Sequence, residues 1–230
     1  PDWEDEQYLF LGQTSMILRQ HNSNFISDGF TPLIETLGEN IWVNAWSTDE
    51  KTIYTIFNLN PEGFNAPLFK VNPKPGYHFV DLWNHDLLNP IKQGGEYWIN
   101  VAAEGYSRKW KGTNNEGSVG SVAMLPDLLK VKREGTTIYF EAHAKCTIKN
   151  WTGLLAYHHE HYLSETAKGS MNYMDEFGAY EGKIVVQAFD NDELLDETVL
   201  EVGSGEPVLM STSVKTESSK KASDGMVKIP

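Results

Sequence analysis

From Lys51 to Pro90 the chain alternates residue by residue and is broken at short intervals by proline and glycine, a pattern that fits sheet and rules out long helix. Thr52–Asn58 sends Ile53, Thr55 and Phe57 to one side and Tyr54, Ile56 and Asn58 to the other. Asn60-Pro61-Glu62-Gly63 interrupts this strand and Ala66–Val71 resumes the pattern. Asn72-Pro73-Lys74-Pro75-Gly76 then breaks it again, its two prolines excluding helix and supplying a rigid turn. A third strand, Tyr77–Trp83, ends in Asp-Leu-Trp-Asn, ahead of another turn at Asn89-Pro90.

The same reading extends to both sides. Ile41–Trp46 opens the sheet, Tyr97–Ala103 follows Gly94-Gly95, and Ser118–Leu125 closes a first β unit at Pro126, a residue suited to strand starts and linkers. Beyond it, Leu128–Arg133 and Thr136–Ala142 flank Glu134-Gly135. Lys183–Phe189 and Glu193–Val202 flank Asp190-Asn191-Asp192, with Ile184, Val186 and Ala188 on one apolar face. Between these hairpins Trp151–Tyr157 reads as a strand and Ser164–Gly178 as a long loop or short helix. One helix is expected, over Asp2–His21, where Tyr8, Leu11, Ser15 and Leu18 form one row and Phe10, Thr14 and Ile17 the next. Its acidic start and Arg19 near its end suit the helix dipole.

The expected fold is therefore mainly β: two tandem antiparallel β-sandwich modules preceded by one N-terminal helix. Residues 1–40 hold the helix and a connector, 41–126 the first sandwich, and 127–202 a second, immunoglobulin-like one. Residues 203–230 turn to Ser, Thr, Lys, Glu and Gly and read as a tail or the start of a further module.

The hairpin "KTIYTIFNLN", its Pro-Gly turn and "YHFVDLW" resemble the β-sandwich that follows the catalytic barrel in α-glycosidase-like glycoside hydrolases. Arg19-Gln20-His21-Asn22 through Phe30-Thr31-Pro32-Leu33 to Trp42-Val43-Asn44 resembles the junction between barrel and sandwich in those enzymes. The resemblance covers roughly the first half of the chain and carries strand patterns, not catalytic motifs. It implies that residues 1–40 end a preceding barrel domain and that the partner is an upstream catalytic domain of the same polypeptide. It also implies a secreted or periplasmic setting.

The formal net charge of −13 disfavours contact with phosphate backbones, so no nucleic-acid partner is expected. No stretch approaches the roughly 20 apolar residues of a membrane-spanning helix, so no membrane partner is expected either. The sole Cys146 has no partner within the chain for a disulfide and reads as a small semi-buried side chain. The chain starts Pro1-Asp2-Trp3, without Met or a leader pattern, and so reads as a piece of something longer.

Chemistry-bearing clusters are few. In His158-His159-Glu160-His161, His158 and His161 are the candidate metal pair, but zinc needs three or four ligands and HExxH spacing is absent. A polar strand end accounts for the same residues, and no metal or other cofactor is expected. Asp190-Asn191-Asp192-Glu193 lacks the ligand spacing of a calcium loop and falls where a hairpin must turn. Of seven tryptophans, most are expected in cores. Trp110, in a polar loop between two lysines, and Trp83, beside Asn84, His85 and Asp86, are the candidates for stacking on a sugar. No carboxylate pair sits in a recognisable glycosidase setting, so no catalytic residue is assigned.

Besides a self-contained enzyme with its active site in the His158–His161 region, the least favoured reading, two functions remain open on these grounds. One is a non-catalytic C-terminal accessory region of a larger carbohydrate-active enzyme. The other is an independent carbohydrate-binding or adhesion module. An exposed apolar face on the helix favours the first, and solvent-facing coplanar rings the second.

Overall fold

A computed structural model describes residues 5–105, 117–153 and 161–204. The fold is mainly β, built from antiparallel sheets with three short helices among the described residues. The longest of them is α1 (Asp5–Gln20), followed at once by a single turn, α2 (Asn22–Phe25).

The first sandwich is formed by β1 (Phe30–Thr31), β2 (Ile41–Ser47), β3 (Thr52–Asn58), β4 (Phe64–Val71), β5 (Tyr77–Asp81), β6 (Asp86–Leu88), β7 (Ile91–Gln93), β8 (Glu96–Ala103) and β9 (Ser118–Pro126). A six-stranded sheet in the order β1-β2-β3-β9-β5-β6 faces a three-stranded one, β4-β8-β7. The period-two pattern has the expected consequence: Tyr54 and Ile56 of β3 join Val43, Phe69, Phe79, Ile99 and Val122 in the core between the sheets. Ile53, from the opposite side of the same strand, is equally buried, because the outer face of the large sheet is itself covered over part of its area. Its cover is α1, α2 and the tip of the second sandwich, which enclose Ile17, Ile53, Val80, Leu82, Ala123, Leu125 and Leu194.

The second sandwich contains β10 (Leu129–Glu134), β11 (Thr137–Ala142), β12 (Thr147–Trp151), β13 (His161–Ser164), β14 (Lys168–Asn172), α3 (Tyr173–Phe177), β15 (Gly182–Asp190) and β16 (Glu193–Val202). A three-stranded sheet, β10-β11-β14, packs on a four-stranded one, β13-β12-β15-β16. Ile184, Val186 and Ala188 of β15 are fully buried between them, the face their alternation marks out.

Three expectations need correction. The third strand stops at Asp81 rather than Trp83, because Asp81 turns the chain by accepting from the backbone N–H groups of Trp83 and Asn84. The strand near Trp151 lies before that residue, at Thr147–Trp151, paired with β15; its expected continuation falls on residues 154–160, outside the described ones. Ser164–Gly178 holds a strand, β14, as well as the short helix α3. Its sequence Lys-Gly-Ser-Met-Asn lacks β-branched residues, and Gly169 is used because an added Cβ would come within 3.0 Å of the Phe140 ring. The two rows of α1 have different fates. Ile17 is buried and Phe10 half-buried against the first sandwich, whereas Tyr8, Leu11 and Leu18 remain 48%, 48% and 47% exposed.

Candidate functional site

The densest grouping of buried ionisable side chains described here lies where the two sandwiches meet. Its first half comes from the turn after β5. The Asp81 carboxylate accepts from Trp83 N at 2.8 Å, Asn84 N at 2.9 Å and Asn84 Nδ2 at 2.8 Å, winding a tight turn. His85 closes it in the left-handed region, at φ 53°, and its ring is carried toward the second sandwich. A non-glycine residue in that conformation is uncommon, and such residues concentrate where a side chain must be aimed.

The second half comes from β15 and β16. The register of this hairpin shifts between Ala188 and Phe189, so that Ala188 pairs with Asp196 while Phe189 pairs with Leu194. The extra residue is a β-bulge, which re-aims the side chains that follow it. Leu194 joins the core under the first sandwich, Leu195 packs within the second, and Asp196 and Glu197 are both buried.

These pieces close into a ring. His85 Nδ1 lies 2.8 Å from Glu197 Oε1, Gln187 Nε2 donates to Glu197 Oε2 at 2.6 Å, and Trp151 Nε1 donates to Gln187 Oε1 at 3.0 Å. The His85 and Trp151 rings then meet edge to face at 4.9 Å. Burial disfavours the His85 imidazolium, but the charge and hydrogen bond of Glu197 outweigh it and raise the pKa above the ordinary histidine value. Both members are withdrawn from water, and His85 Nε2 has no hydrogen-bond partner among the described residues.

A second contact sits beside the first. His78 Nε2 donates to the Glu197 carbonyl at 2.9 Å, its Nδ1 lies 2.7 Å from Asp127 Oδ1, and Nε2 is 3.3 Å from Asp196 Oδ1. The 3.3 Å approach is not a hydrogen bond, which leaves Asp196 Oδ1 without a donor among the described residues. Asp196 Oδ2 accepts from Leu128 N at 2.8 Å and Leu129 N at 2.7 Å, fixing the start of β10. Burial pushes the Asp196 carboxyl up to about 6, against the pull of His78 and of those backbone donors.

The third contact is Lys51, in the β2–β3 turn. Its Nζ reaches Leu194 O and Glu193 Oε1, both at 2.6 Å, and His21 Nδ1 at 3.2 Å. Burial lowers the Lys51 pKa, opposed by Glu193. Burial, with Lys51 adding to it, holds His21 well below the ordinary histidine value, so His21 accepts from the ammonium as a neutral ring.

Chemically, this arrangement grips. A histidine–carboxylate dyad acts on a substrate only if the second ring nitrogen opens on a cleft, and here that nitrogen is sealed from solvent. Nearby lies an open polar groove of about 570 Å³ between Phe64, Glu104, Asn84, Asp86 and Lys183, with Lys183 Nζ paired to Asp86.

Of the residues singled out in the sequence, the structure describes Trp83 and His161. Trp83 is half-buried: its ring meets Phe10 of α1 edge to face at 5.5 Å, and its carbonyl accepts from Gln13 Nε2. It anchors the helix. Trp110 and His158 fall outside the described residues, and His161 is exposed at the start of β13, opposite Trp151. Among the described residues no group of three or more His, Cys, Asp or Glu side chains is placed to hold a metal ion. The ring of His85, Glu197, Gln187 and Trp151 is not legible as a unit in the sequence, although Gln187 leaves a signal. It interrupts the otherwise apolar run Ile184–Phe189, where a buried amide must find partners.

Neither a scan against models of protein families nor a search of curated proteins finds a match to this chain.

Proposed function

We propose that the chain is the non-catalytic C-terminal accessory region of a larger, glycoside hydrolase-like enzyme, where it covers and stabilises a catalytic domain. The supporting observation is the outer row of α1. Tyr8, Leu11 and Leu18 stand 48%, 48% and 47% exposed on a helix whose opposite row is fastened by Ile17, Phe10 and Gln13. An apolar row left half-exposed to solvent is what a docking face presents. The likeness of the β2–β5 segment to post-barrel sandwiches supplies the proposed identity of the domain that docks there.

Leu11→Glu with Leu18→Glu tests this. In the isolated chain the double variant melts within about 0.5 kcal/mol of wild type, as surface changes do. Within the parent polypeptide it lowers the melting point of the catalytic domain and shortens its active lifetime. Equal stability of the catalytic domain with either version would remove the docking role. Glycoside turnover by the isolated chain that vanishes on changing one carboxylate would place an active site within it.

The binding-module reading draws on one observation. Trp42 and Phe57, directly paired across β2 and β3, are 38% and 41% exposed, with ring centroids 6.0 Å apart and planes 27° from parallel. If they stack on pyranose rings, Trp42→Ala abolishes an oligosaccharide titration that wild type shows by calorimetry. A flat titration of wild type eliminates this reading.

A further inference from the structure

We propose that the joint between the two sandwiches is a proton-operated latch, gripping at mildly acidic pH and slackening as pH rises through the histidine range. Geometry carries this. Both ring nitrogens of His78 face acceptors, the Glu197 carbonyl on one side and the Asp127 carboxylate on the other. A ring carrying two protons satisfies both; a ring carrying one turns a lone pair toward an oxygen. His85, from the same sandwich, supplies the cation facing the fully buried Glu197 carboxylate. When His85 is neutral, that carboxylate keeps hydrogen bonds from Gln187 and the ring but loses its only cationic hydrogen-bond partner among those described.

All the surrounding charges belong in the balance. His85 also faces Asp81 from β5, which favours its cation, and Lys183 from β15, which opposes it. His78 faces Asp196 as well as Asp127. Lys51, with His21, Glu50 and Glu193 around it, grips the hairpin tip. His21 works in the opposite sense, because its neutral form is the one that accepts from Lys51.

The signs define a window. A folded-state pKa raised above the unfolded value contributes stability that is complete below the unfolded value and is lost as pH climbs through the folded one. His85 is raised, so its part is complete below about 6.5 and is lost above it, whereas the Asp196 part is complete only below about 3.9 and is spent once pH passes about 6. His21 is lowered, so its contribution is complete above about 6.5 and declines as pH falls below that. Grip is therefore expected to be strongest near pH 5.5–6.5 (a rough window set by these groups).

The test uses the whole chain. Small-angle scattering is recorded from about pH 5.5 to 8.5 alongside NMR titration of the histidine ring carbons. The expected result is a radius of gyration that rises with pH, with a midpoint following the His85 ring and lying above that of a free histidine. Glu197→Gln is expected to lower that midpoint by about one pH unit. His78→Gln with His85→Gln is expected to remove the response. A scattering curve that does not change with pH in wild type overturns the proposal. So does a response that persists unaltered in either variant.

Discussion

Trp151→Ala is expected to lower the stability of the second sandwich by about 3–5 kcal/mol, the range for deleting a large buried aromatic. Trp151 is fully buried on the face of β12 turned toward His85 and the first sandwich. Its indole N–H satisfies Gln187, which in turn satisfies Glu197, and Lys149 Nζ lies 5.2 Å from the ring centroid. Alanine removes the ring and leaves the buried Gln187 side-chain oxygen without its indole donor. Trp151→Phe separates the two losses, since it keeps most of the packing and removes only the donor, at about 1–3 kcal/mol. Chemical denaturation of both variants measures this. A phenylalanine variant as unstable as the alanine one would show that the hydrogen-bonded ring, and not the packing, carries the effect.

The strands were legible because their faces differ in chemistry. Tyr54 and Ile56 point into one core and Ile184, Val186 and Ala188 into another, and alternation alone identifies both sets. The same rule misleads where a strand is buried on both sides. Ile53 lies fully buried although Tyr54 and Ile56 occupy the inner face, because α1 and the β15–β16 tip cover the outer one. Nothing local to β3 announces a cover that comes from residues far away in the chain.

The joint was harder to see for the same reason. Asp196 and Glu197 are adjacent acids, which in a regular strand would put one on each face and at least one in water. Asp196 and Glu197 pair in regular register with Ala188 and Gln187 and face opposite ways, yet both are buried because the hairpin is covered on both faces there, by partners more than 60 residues distant in sequence. His85 was noticed only as a neighbour of Trp83, since its left-handed backbone depends on the Asp81 carboxylate reaching forward over the turn. The row formed by Tyr8, Leu11 and Leu18 was legible as apolar. Its exposure was not, because α1 carries a second row that could be chosen for packing instead.

Glu197→Ala should cost about as much as the tryptophan deletion, and unlike it should depend on pH. Removing one member of a buried ion pair typically costs about 3–5 kcal/mol, since the other is left uncompensated. Here the loss has two parts. Gln187 Nε2 gives up an acceptor at 2.6 Å, a penalty of about 1–3 kcal/mol that no titration in this range alters. His85 gives up the carboxylate that holds its pKa above the ordinary value, and this part follows the proton. It is complete below the unfolded histidine pKa of about 6.5 and fades as pH rises through the higher folded value. Denaturant unfolding of wild type and variant at about pH 5.5 and pH 8.5 should therefore show the larger gap in acid. A gap that is equal at the two pH values would mean that the pair is joined by hydrogen bonding alone, with no charge on His85. A gap larger at the alkaline end would mean that the buried Glu197 carboxylate is held by something other than His85.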